Sequence, residues 1–194
     1  MVGFFRAIIA VIVAVVIQGG VSGVVETDPA DAAAAFLDGI KTCDEQVLNT
    51  YMDNEYVNFL ANVEGDEKTT DRMVAAIFKN LEYKASDVAT KRSVAVVKVH
   101  VKTNDFSKVM DAYDKASYKY VVDNLYDDDI GDKEKLNAKC LDIYVKQIEK
   151  KAEEEATLEK DIYIPMVSDG YGGWKLLIDD KIMKALMGNL AIPE

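Results

Sequence analysis

The stretch "KDIYIPMVSDGYGGWKLLIDDKIMKALMGNL", residues 160–190, decides the fold. Ile162, Ile164 and Met166 recur with period two, and Trp174, Leu176 and Ile178 repeat the pattern after the glycines. That spacing predicts two strands joined by a turn. "DDKIMKALMGNL" then reads as a short closing helix carrying Ile182, Met183, Leu186 and Leu190. The glycine cluster fits a hairpin better than a phosphate cradle. It lacks the G-x-x-x-x-G-K-[ST] pattern, and Gly173 leads into a strand instead of a helix N-terminus that could hold an anion.

Working upstream, "RSVAVVKVHVKT" pairs with "YKASDVAT" as a second hairpin. Ala95, Val97, Val99 and Val101 take one face, and Lys98, His100 and Lys102 the other. The single histidine therefore belongs to a polar face, exposed or lining a groove. Helical spacing accounts for the remainder. Asp28 and Pro29 begin a short helix carrying Phe36, Leu37 and Ile40. A second helix starts at Thr42, with Glu45 at capping-box distance, and carries Val47, Leu48, Tyr51, Met52, Phe59 and Leu60. A third begins near Thr69 or Thr70 and carries Met73, Val74, Ile77, Phe78 and Leu81. A fourth starts at Asn104 or Asp105, with Phe106, Val109, Tyr113, Tyr120, Val121 and Leu125 as its apolar positions. "YDDDIGD", residues 126–132, marks a turn, and Asp132 caps a long helix reaching about Glu155 along Leu136, Cys140, Tyr144, Ile148 and Ala152. Helices grouped against antiparallel hairpins define an α+β fold.

The 194 residues form a single folded domain over 28–190, without a Pro- or Gly/Ser-rich linker. The N-terminal residues 1–25 read separately: Arg6 is followed by an unbroken apolar run from Ala7 to Ile17. This is a secretory signal cleaved near Val24, or an uncleaved anchor, and either reading exports the folded part. Membrane contact is expected only through residues 1–25, if they are retained. The net charge of −11 argues against nucleic acid as the main partner. An exported location permits a disulfide between Cys43 and Cys140, the alternative being two buried thiols. Two distant cysteines and one histidine do not compose a zinc site, and no metal or cofactor is expected. Asp127, Asp129 and Gly131 depart from a calcium loop, because its sixth and twelfth positions would fall on Asp132 and Ala138.

No nucleophile elbow accompanies His100, and no pair of carboxylates is singled out for acid/base work. The ligand-binding candidates are Tyr113, Tyr120, Tyr144, Met166 and Trp174, as the wall of an apolar groove, with His100 at its rim.

Residues 160–190, with their strand, glycine turn, Trp-Lys, returning strand and final Gly-Asn-Leu, resemble the ending of NTF2-like domains from secreted lipoproteins of uncharacterised function in Gram-positive bacteria. The resemblance extends over most of residues 28–190 and implies a curved, cystatin-like antiparallel sheet wrapping helices around a conical cavity. Two departures stand out: no lipobox cysteine follows the apolar run, and the helix around 132–155 is an addition to a minimal cone. Such a fold hosts several functions. The reading is an extracytoplasmic, noncatalytic module that binds a small molecule or an envelope protein, with a homodimer as a further assembly. The alternatives are a cavity enzyme using Tyr or Asp as acid/base and a purely structural envelope protein.

Overall fold

A computed structural model describes residues 28–41 and 67–191. The N-terminal apolar run, Cys43 and the helix expected from Thr42 lie outside the described residues. In chain order the elements are α1 (Pro29–Lys41), α2 (Glu67–Phe78), β1 (Glu82–Lys91), β2 (Val94–Thr103), α3 (Val109–Asp123), the single turn α4 (Asp128–Gly131), α5 (Lys133–Ala152), β3 (Leu158–Ser168), β4 (Trp174–Leu176) and α6 (Asp180–Leu186). The strands form an antiparallel sheet in the order β1-β2-β3-β4, packed against helices, as the α+β reading requires.

Alternation sorts the strands into two faces. Ala95, Val97, Val99 and Val101 of β2 are buried, and so are Ile162, Ile164 and Met166 of β3 and Trp174 and Leu176 of β4. The register sets Ala95, Met166 and Leu176 in one row, Val97 beside Ile164, and Val99 beside Ile162. Helices α1 and α6 lie against these strands, while α5 packs on α2 and α3. Tyr144, Val145, Ile148 and Ala152 place only the C-terminal half of α5 in the core. A register shift between Ser86 and Val88 interrupts the β1–β2 ladder, as a bulge does where a sheet bends.

Local chemistry explains the element ends. Asp28 accepts from Ala30 N at 2.7 Å, and Asp132 accepts from the amides of Glu134 and Lys135, so both expected caps form. Helix α3 begins at Val109, later than the fourth helix expected from Asn104 or Asp105. Asp105 instead folds a turn by accepting from Ser107 N at 3.1 Å, and Asn104 is fully buried in a different task. Its Nδ2 donates to the carbonyls of Lys151 and Glu154, and its Oδ1 accepts from Asn80. Asn80 Nδ2 also donates to Ala152 O at 2.7 Å. Together the two amides bring side-chain donors to the carbonyls of Lys151, Ala152 and Glu154 at the end of α5.

The closing helix ends in a Schellman motif: Asn189 N donates to Lys184 O at 2.8 Å and Gly188 N donates to Ala185 O at 3.3 Å. Gly188 has φ +60°, and its carbonyl accepts from Phe106 N at 2.7 Å. The glycine hairpin is built around Asp169, whose Oδ1 accepts from Tyr171 N and Gly173 N while Gly170 and Gly172 take positive φ. Strand β4 is shorter than the alternation predicts, ending at Leu176, although Leu177 N still donates to Pro165 O.

Arg72 ties α2 to α5 through two bonds to Glu149, at 2.7 and 2.8 Å, and a longer one to Asp142. With these side chains about one-third exposed, Arg72→Ala is expected to cost only about 1 kcal/mol in denaturant unfolding. The Asp142 carboxyl is held below its usual range, first by its hydrogen bond to Lys146, against partial desolvation, and then by Arg72. A lowered folded pKa stabilises fully above the unfolded carboxylate pKa and is lost as pH falls through the folded value. The cost of Arg72→Ala should therefore be constant near neutrality and shrink below about pH 4, which parallel denaturation of both proteins across acid pH will show.

Candidate functional site

The sheet face turned away from the core is unusual in composition. An antiparallel sheet with one covered face ordinarily alternates apolar-in with polar-out. One half of this face, built from Lys84, Lys98, His100, Lys102, Glu159 and Asp161, follows that rule. Lys98 Nζ and His100 Nδ1 each lie 2.9 Å from a different oxygen of Asp161, and His100 Nε2 is 3.8 Å from Glu159. Asp161 is held below its ordinary range, chiefly by Lys98 and then by His100. Both of its oxygens are thus engaged, making a cross-strand ion cluster.

The other half breaks the rule. Val94, Val96, Tyr163, Pro165, Val167 and Leu177 occupy successive outward positions. Val94, Val167 and Leu177 are exposed, and Tyr163 is 58% exposed. At this end the neighbouring cations are Lys91, paired across from Val94, Lys175, paired across from Val167, and Arg92 in the β1–β2 turn. Along the whole outer face five lysines (84, 91, 98, 102 and 175) stand against Glu82, Glu159 and Asp161, on a chain whose net charge is −11.

The six expected ligand-binding residues do not converge on one groove. Tyr144 and Met166 are in the core, and Tyr144 Oη donates to Ala191 O at 2.6 Å. Trp174 faces the core at 9% exposure. Tyr113 is half-buried, edge-on to Tyr144 with centroids 5.5 Å apart, and burial raises its pKa, with Cys140 adding to the shift. Tyr120 lies under Lys139, 5.4 Å from its ring. His100 stands on the opposite side of the sheet from Met166 and Trp174. Alternation explains the separation: His100 has odd parity relative to the inward Val99 and Val101, so no rotamer brings it to the inner face. Cys140 carries a free thiol, and its expected partner Cys43 is outside the described residues. Among the described residues no cluster of three or more His, Cys, Asp or Glu has a metal-holding arrangement. None of the described helices is long and apolar enough to cross a membrane.

The outward apolar positions were missed as a site, yet they left a signal. "VAVV" at 94–97 and "IYIPMV" at 162–167 are apolar on both parities, the pattern of strands covered on both faces. Past Lys98 the alternation of β2 becomes strict, and the apolar character of the outer face ends there.

Residues 28–191 match the family model described as a domain of unknown function, DUF5105, and the chain belongs to that family. No curated protein sequence matches it significantly. Among solved structures it is similar to YcdA of Bacillus subtilis, described as a putative lipoprotein, with a TM-score of 0.56 and 21% identity. The alignment covers 87% of this chain and 57% of that one, so the chain spans little more than half the length of the protein it matches. At that identity the likeness concerns the fold.

Proposed function

We propose that this protein is an extracytoplasmic, noncatalytic docking module whose partner is another protein, held on the outer sheet face. The observation that carries the reading is the exposed apolar half of that face, from Val94 to Leu177. Contiguous apolar surface of this kind marks an association site on an otherwise charged domain, and β2 and β3 have the composition of strands with a cover on both sides. Export is supported by Arg6 and the apolar run after it, and by similarity to a protein described as a putative lipoprotein. The NTF2-like relationship belongs to the same proposal: the sheet backed by α1 and α6 accords with it, while the aromatic side chains that would line a cone are largely packed. A small-molecule role for Tyr113 and Tyr120 is the second outcome of the test.

The test places a photoreactive amino acid at Val167 of the full chain in the producing cell. The expected product is a discrete protein adduct that disappears when Leu177→Glu is added. Adducts with lipid alone, or none while a probe at Tyr120 captures a small molecule, would refute protein docking at this face.

A further inference from the structure

The α3–α5 hairpin ends in a tip that complements the outer sheet face. Helix α5 has 20 residues and meets the core from Leu141 onward, so its first eight residues extend about 12 Å beyond the part that enters the core. At this end Tyr118 is 73% exposed and Tyr126 98%, and Val122 and Leu125 are also exposed. Residues 123–132 contain five aspartates and no lysine or arginine. Asp123, Asn124, Tyr126 and Asp127 line an open depression there, and Asp123 pairs within its own helix with Lys119. One molecule therefore presents an apolar surface rimmed by Lys91, Arg92 and Lys175, and, elsewhere, an apolar projection on a segment rich in aspartate.

We propose that the occupant of the outer face is the hairpin tip of a second copy of this chain, so that molecules join head to tail. This rests on the reading of that face as a protein-docking surface and names its partner. Tyr126 and Leu125 would lie over Val94, Val167 and Leu177, with the aspartates toward the cations. Charge selects this arrangement over a face-to-face pair, which would bring two sets of Lys91, Arg92 and Lys175 together. A contact between two different surfaces does not close on itself after one step, so the assembly grows beyond a dimer unless a ring forms.

Sedimentation of the full chain in a non-ionic detergent tests this. The weight-average mass should rise with protein concentration and fall when salt is raised from about 0.05 to about 0.5 M. Two variants, K91E/K175E on the face and L125D/Y126S on the tip, should each weaken self-association at least about tenfold, with circular dichroism spectra and melting as in the parent. Mixed, they should form one-to-one dimers and nothing larger, since each retains one working surface. A parent that stays monomeric at every concentration overturns the proposal, and so does a mixture in which the two variants remain apart. If sedimentation shows monomers while Val167 still captures a different protein in the cell, self-docking fails and the docking reading stands. If neither is seen, both fail.

Discussion

Gly188→Ala is expected to destabilise the protein by about 3–5 kcal/mol, read as a fall in the denaturant midpoint at unchanged slope. A Cβ on Gly188 would stand 1.9 Å from the carbonyl oxygen of Asn104 and 2.9 Å from Phe106 Cδ2. The first contact is with backbone, which cannot swing aside as a side-chain end can. The left-handed φ of +60° adds about 1–2 kcal/mol for any residue with a Cβ. Relief by moving the 104–106 segment would stretch the bond from Phe106 N to Gly188 O and disturb the Asn104 network as well. Gly170→Ala separates the two terms, because Gly170 has φ +78° but open space around it. It should cost only about 1–2 kcal/mol. Equal losses at the two glycines would show that the close approach to Asn104 contributes nothing.

Asn104→Ala should cost about 2–4 kcal/mol, since it removes a fully buried side chain together with its bonds to Lys151 O, Glu154 O and Asn80 Nδ2. Asn80→Ala should cost less, because Asn80 is only half-buried. The double variant should lose less than the sum of the two, because after either change the Asn80–Asn104 bond is already gone. Strict additivity in urea unfolding would mean that the amides act separately and do not form one cap on α5.

What the sequence made legible follows from which interactions are local. Period two placed Val97, Val99, Ile162 and Ile164 on one face, and cap chemistry marked Asp28 and Asp132, because both signals span only a few residues. The start of α3 was read too early because Asn104 looks like a helix cap, and its real partners, Lys151 and Glu154, are about 50 residues away. A still longer separation hid the role of Gly188, whose neighbour is Asn104. The aromatic groove failed for a related reason. Tyr144 and Tyr120 both have helical apolar spacing, but only the packing of α5 against the rest tells that Tyr144 is in the core while Tyr120 is covered by Lys139. The outer-face patch was partly legible, in the two-sided apolar runs at 94–97 and 162–167, though the cations beside it come from β1 and β4 and meet only through strand pairing.

The central claim is that a protein covers the outer sheet face in the envelope, and thiol protection tests it most directly. Cysteine is placed at Val167, or, as a control, at the 85% exposed Tyr171 in the hairpin turn, in chains whose native Cys43 and Cys140 are replaced by serine. A bulky maleimide should label both positions rapidly in the purified protein. In intact cells it should still label position 171 but leave position 167 protected, with protection abolished by Leu177→Glu. Equal labelling of position 167 in cells and in purified protein would contradict the claim.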